Sequence, residues 1–151
     1  MEKNTTPTES FFQLRNVFLI KDSFWRKRNI ADFEALQHNV DIDIKVNSSP
    51  DGTHLIVDET LFFTSSINEE KVIDVSIEMT AAFEINGSTT IDLEQFGEIN
   101  GGAIIYPFIR EHLGSTCLKA GIANILLPPM NFVQRYHDLK NNTPKVESEM
   151  E

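Results

Sequence analysis

The chain has few of the residues from which enzyme chemistry is usually built. Its 151 residues include one cysteine, four histidines, one tryptophan and two tyrosines. A single cysteine, Cys117, excludes an internal disulfide framework and a cysteine-based zinc site. His38, His54, His112 and His137 are scattered, with no His-x-x-x-His pair and no ligand spacing to the cysteine. His112 and Cys117 lie about 140° apart round a helix, so they do not meet as base and nucleophile. Gly-x-Ser-x-Gly, P-loop and dinucleotide fingerprints are missing, and Gly101-Gly102 has no Lys-Ser/Thr behind it. No enzyme, metal site or cofactor is expected.

Positive charge is scarce as well. Thirteen Lys and Arg stand against 23 Asp and Glu, for a net charge of -10 and a pI near 4.8. That excludes nucleic acid as a partner, because neutralising phosphates needs a basic surface, and it favours basic or positively patched partners. No apolar run approaches the roughly 20 residues a membrane span needs, so stable insertion is not expected. The polar start, Met1 to Pro7, lacks the apolar core of a signal peptide, and a cytoplasmic location is expected.

What the chain does have is phenylalanine, 11 in all. Phe offers apolar area without a polar handle, suiting a core or a surface that grips apolar segments. The length fits one domain with a real core. Residues 1–10 read as a disordered arm, 11–140 as the domain, and 141–151 as a disordered acidic tail.

Phe11 to Ile20 predicts a first strand ending near Lys21-Asp22-Ser23. The one basic cluster, Trp25-Arg26-Lys27-Arg28, reads as a loop that pairs with acidic neighbours, with Trp25 anchored beneath it. Val40 to Val46 alternates apolar and charged residues, the mark of a strand with one buried and one wet face. Turns at Asn47 to Gly52 and Ser65 to Glu70 flank a strand over Leu55 to Thr64. In Val72 to Ile85, the residues Ile73, Val75, Ile77, Met79, Ala81, Phe83 and Ile85 share one face. The result is an antiparallel meander of four strands. Its outward face carries Asp41, Asp43, Asp74 and Glu78.

After Gly87 the period changes. Thr89 or Thr90 is placed to cap a short helix over about Ile91–Ile99, which Asn100-Gly101-Gly102 ends. From Ala103, apolar residues recur at helical spacing through Ile105, Ile109, Leu113 and Cys117, with Pro107 in or near the first turn. Ala120-Gly121 stops that helix, and Ile122 to Leu127 is extended. Pro128-Pro129 opens the last helix, with Pro129 near its first position. Ile104, Ile105, Phe108, Ile109, Leu113 and Leu118 give the first long helix more apolar surface than one small sheet covers, which predicts oligomerisation.

Several stretches carry a family resemblance. Ile104-Ile105-Tyr106-Pro107-Phe108-Ile109-Arg110-Glu111 resembles the Ile-Leu-Phe-Pro-Tyr-Ala-Arg-Glu signature of the SecB export chaperones. Leu127-Pro128-Pro129-Met130-Asn131-Phe132 resembles that family's Leu-x-Pro-Val-Asn/Asp-Phe. Val40-Asp41-Ile42-Asp43-Ile44 and Ala81-Ala82-Phe83 have collinear counterparts, so the likeness covers about Phe11 to Leu139.

The resemblance implies an α+β fold, a four-stranded antiparallel sheet with two main helices packed on one face. It implies a homotetramer, built as a dimer of dimers, acting as an ATP-independent holdase. Such a protein keeps unfolded preproteins from aggregating and delivers them to SecA at the Sec translocon. Carried over by position, Val40, Ile42, Ile44, Ile73, Phe108, Phe132 and Tyr136 would bind clients. Asp41, Asp43, Asp74 and Glu78 would meet SecA, although Asp74 and Ser76 depart from the family's usual Leu and Glu. Val75, Ile77 and Met79, with Ile105, Ile109 and Leu113, would form the oligomer interface. Some SecB-like proteins protect an antitoxin instead, and a small-molecule binder or a structural assembly protein are the readings from other classes.

Overall fold

A computed structural model describes residues 12–87, 91–123 and 125–149. Strands β1 (Phe12–Arg26), β2 (Gln37–Ser48), β3 (His54–Ile67) and β4 (Glu70–Ile85) form one antiparallel sheet in the order β1-β4-β3-β2. A single 3₁₀ turn, Phe33–Ala35, separates β1 from β2. Then come α1 (Leu93–Phe96), a π-helical turn (Gly97–Gly101), α2 (Gly102–Lys119) and α3 (Phe132–Glu149).

Alternation dictates the layers. Ile42 and Ile44 of β2, Leu55, Val57, Leu61 and Phe63 of β3, and Ile73, Val75, Ile77, Ala81, Phe83 and Ile85 of β4 point to one face and are buried there under the helices. β2 and β3 pair Ile42 with Leu61 and Val46 with Val57, while β3 and β4 pair Leu61 with Ile77 and Phe63 with Val75. Polar and charged residues fall on the other face, as a half-buried sheet requires. The β3–β4 hairpin closes tightly at Asn68 and Glu69, both at positive φ.

β1 is longer than its sequence suggests. Two irregularities, between Leu14 and Asn16 and between Leu19 and Lys21, let it follow β4 as far as Arg26. Each bulge resets which residues face the core, which hides the strand from a period-two reading. Trp25 is therefore no anchor under a loop: it lies in β1 opposite Asp74 and is 50% exposed. Within the basic cluster Lys27 does meet an acid, Glu70, at 3.1 Å. Arg26 instead donates to the carbonyls of Lys27, Arg28 and Ala120, the last at the C-terminal end of α2.

The expected break at Asn100-Gly101-Gly102 does not occur. The backbone stays helical through Gly101 and Gly102, and α1, the π turn and α2 run on as one rod. These glycines serve close approach rather than termination. A Cβ on Gly97 would stand 2.6 Å from the Val46 side chain, and one on Gly102 would stand 2.7 Å from the Phe132 ring. Asp92 caps the rod by accepting from the Glu94 and Gln95 N–H groups; Thr89 and Thr90 lie outside the described residues. Pro107 sits well inside the rod, where it has no N–H to give to the preceding turn.

Past α2 the described residues through Asn131 are irregular, with Ile122 and Leu127 buried. The last helix starts later than Pro129, because Asn131 caps it by accepting from the Gln134 N–H at 3.0 Å. It also runs to Glu149, where a disordered tail from residue 141 is expected from composition. Residues 1–10 of the expected arm lie outside the described residues.

Candidate binding groove

β2 is one free edge of the sheet, and α3 lies along it. Between them runs an open groove of about 420 Å³. Val40 and Ile42 line it from β2, Met130 from the connection, and Leu139 from α3, with Asp41 and Asp138 on its rim. Its wall is held by one side chain. Arg135 donates through Nη1 to Glu98 Oε1 at 2.7 Å and through Nη2 to the Ile42 carbonyl at 3.1 Å. One guanidinium thus ties α3 to both the π turn and the β2 edge. The Ile42 N–H is met at 3.0 Å by Asp41 Oδ1, so both polar groups of that edge residue are satisfied locally.

Beneath this wall sits a carboxyl with no hydrogen-bond partner. Glu59 occupies an inward position of β3, fully buried, and neither carboxylate oxygen has a hydrogen bond. Burial pushes its pKa up to about 8; the Arg135 guanidinium opposes the rise and Glu98 reinforces it. Tyr106 stands nearby on α2, edge-to-face with Phe132 at 5.6 Å and donating its hydroxyl to the Pro128 carbonyl at 2.7 Å. Burial raises the Tyr106 pKa; the Arg110 guanidinium opposes the rise and Glu59 adds to it.

The structure divides the residues expected to bind clients. Val40 and Ile42 line the groove, and Phe108 is 48% exposed on the outer side of α2. Ile44, Ile73, Phe132 and Tyr136 are core: Ile73 is fully buried, and Phe132 packs against Tyr106 as part of what docks α3. They offer little area to a ligand, and Ile42, 7% exposed, reaches the groove with little more.

The residues expected at the oligomer interface lie mostly inside the single chain. Val75, Ile77, Ile105, Ile109 and Leu113 are 0 or 1% exposed in the single chain, packed between sheet and α2, and only Met79 is part-exposed. A helix face that covers its own sheet has no atoms left for a second chain. The surplus apolar surface lies elsewhere, at Phe108 and Leu118 on α2 and at Leu14, Phe18, Leu19 and Ile20 on β1.

Asp41, Asp43, Asp74 and Glu78 do share the open face of the sheet. Register sets Asp43, Thr60 and Glu78 in one row and Asp41, Phe62 and Ser76 in the next. Phe62, 45% exposed, lies among these acids.

Arg135, Glu98, Glu59, Met130 and Leu139 complete the site without having been singled out from sequence. Glu59 was visible there, since Leu55, Val57, Leu61 and Phe63 put it in an inward row. Arg135 was not, because its partners are 37 and 93 residues away.

Among the described residues, no helix is long and apolar enough to cross a membrane. The family model for the preprotein translocase subunit SecB matches residues 5–143. A protein-export protein SecB of Saccharophagus degradans is 28% identical over 144 residues, covering 87% of this chain and 85% of that protein. An uncharacterized protein of Methanocaldococcus jannaschii is 25% identical over 118 residues, 76% of each chain. Among solved structures, a SecB-like chaperone of Mycobacterium tuberculosis, in complex with a ChAD peptide from an antitoxin, superposes with a TM-score of 0.71. That match has 17% identity and covers 80% of this chain and 91% of that one. The four-stranded sheet, the helices on one of its faces and a family match over nearly the whole length agree, and the chain belongs to the SecB family of chaperones.

Proposed function

We propose that this protein is an ATP-independent holdase of the cytoplasm that binds unfolded preproteins and passes them to SecA. The observation that carries the reading is the groove between β2 and α3, apolar at Val40, Ile42, Met130 and Leu139 and open along its length. An extended client segment lays apolar side chains on such a floor. The rim acids Asp41 and Asp138 favour segments that also carry Lys or Arg. Several grooves on one oligomer, each weak, hold a long chain by avidity. Folded proteins, whose apolar segments are hidden, are passed over.

The test is suppression of aggregation of an unfolded client. Leu139→Glu, at a position already 45% exposed, places a charge in the groove with little cost to the fold. Suppression is expected to fall about tenfold, or about 1.4 kcal/mol of client affinity, with thermal stability retained. Unchanged suppression overturns the groove assignment.

A second client class comes from the Mycobacterium tuberculosis neighbour, whose bound peptide derives from an antitoxin. An antitoxin segment would use the same groove here. Competition between an unfolded preprotein and an antitoxin peptide for this protein separates the two readings by their relative affinities.

A further inference from the structure

Behind the groove, and reaching it only through Arg135, lies a cluster of charged and ionisable side chains. Glu59 from β3, Glu98 from the π turn and Arg135 from α3 converge there, with Tyr106 facing Glu59 from α2. Its sheet neighbours, Ile44 on β2 and Met79 on β4, carry no charge. Two carboxyls thus stand near one guanidinium, and only Glu59 is closed off from water. Arg135 serves Glu98 and the Ile42 carbonyl and makes no hydrogen bond to Glu59.

We propose that the Glu59 carboxyl is a proton-operated latch on the groove. Neutral, it leaves Arg135 to fasten α3 to Glu98 and to the edge of β2. Ionised, it draws the guanidinium inward, frees the Ile42 carbonyl and loosens α3, so that the groove widens. The physical reason is asymmetric cost. A neutral carboxyl without a partner is a modest penalty, whereas an unpaired carboxylate in the same place is a severe one. The nearest relief is the Arg135 guanidinium, and taking it removes both hydrogen bonds that hold α3 down. Tyr106, whose hydroxyl donates to the Pro128 carbonyl, stays as the hinge-side attachment. The upward shift of Glu59 places the transition near neutral to mildly alkaline pH.

This inference rests on the groove reading for its consequence, although not for its mechanism. The mechanism is read by hydrogen exchange of the α3 amides in the full chain, from about pH 6.5 to about pH 9, corrected for intrinsic exchange. Protection of α3 is expected to fall about tenfold more than that of β3 and β4 across that range. In Glu59→Gln, where no proton can leave, α3 protection is expected to stay flat. Identical α3 profiles in the two proteins overturn the latch. Carboxyl carbon NMR of Glu59 in the wild-type chain gives an answer that does not depend on the variant folding. Titration in the ordinary carboxylate range also overturns it.

The consequence is read with a reduced, carboxymethylated unfolded protein as client. Its affinity is expected to rise several-fold with pH in the wild type and to stay level in Glu59→Gln. Loosening of α3 with no client bound at any pH would remove the groove reading and leave the latch. Client binding that ignores pH, with α3 equally protected throughout, would remove the latch and leave the groove.

Discussion

At the scale of single residues, Glu59 and Gly102 make opposite demands on packing. Glu59 places an ionisable group where its inward neighbours are Val, Leu and Phe, and its effect on stability has a definite sign. The unfolded chain's glutamate ionises near pH 4.5, while the folded one holds its proton to about pH 8. Between those values the folded state binds more protons, so stability is highest at or below the lower value and is lost as pH rises through the upper one. The loss amounts to about 5 kcal/mol at most, less whatever Arg135 recovers. Urea denaturation from about pH 5 to about pH 9 should show stability declining, and Glu59→Gln should remove most of that slope. Gly102 is the contrary case, a residue needed for what it lacks. In Gly102→Ala the new methyl would meet both the Phe132 ring and Ile44. An overpacking penalty of about 1–3 kcal/mol is expected, seen as a lower Tm and increased exchange of α3.

At the scale of elements, α3 is attached through its first turns. Among its side chains described, 132–142, Phe132, Arg135 and Tyr136 pack inward, whereas 137–142 are exposed, Leu139 towards the groove. A chain ended after Asn142 is therefore expected to keep its Tm within a few degrees, since the packing contacts and both Arg135 hydrogen bonds remain. A shift of about 10 °C or more would show that the distal turns stabilise the fold. The element also shows what a sequence reveals and what it conceals. β2 and β4 were legible because their alternation is uninterrupted, and the Pro107 and Pro129 motifs located the helices. The glycines at 97, 101 and 102 misled because their meaning is tertiary: without Val46, Val57 and Phe132 in view, Gly-Gly reads as a stop. The end of α3 was hidden for a related reason, since polar composition alone does not distinguish an exposed helix from a coil. Among the candidate site residues, periodicity identified inward rows but not which rows α2 covers. Ile44 and Ile73 were thus grouped with Val40, although only Val40 reaches the groove.

At the scale of the whole molecule, one chain leaves two apolar surfaces uncovered. One runs along β1, an edge strand whose Leu14, Phe18, Leu19 and Ile20 are 39 to 52% exposed. The other is the outer side of α2, with Phe108 and Leu118. An apolar edge strand left unpaired invites another copy. These surfaces suit the dimer of dimers that the SecB resemblance implies, for which light scattering is expected to give a mass of about four chains. Ile20→Lys should break the β1 contact and release smaller species, and a clean wild-type monomer would contradict the assembly. Assembly would leave the acidic rows of the sheet on the outside, where they bear on the proposed hand-over to SecA. Asp43 lies next to β3's Thr60, across from Glu78, and Asp41 flanks the exposed Phe62. Asp41→Lys with Asp74→Lys reverses two charges on that face, and Asp74 also gives up its 3.1 Å pair with Lys71. Exposed charges contribute chiefly through the field they present to an approaching partner. The double variant should accordingly lose about tenfold in SecA affinity, mostly in association rate and more at low salt. Equal affinity at low and high salt in both proteins would place the SecA contact elsewhere on the molecule.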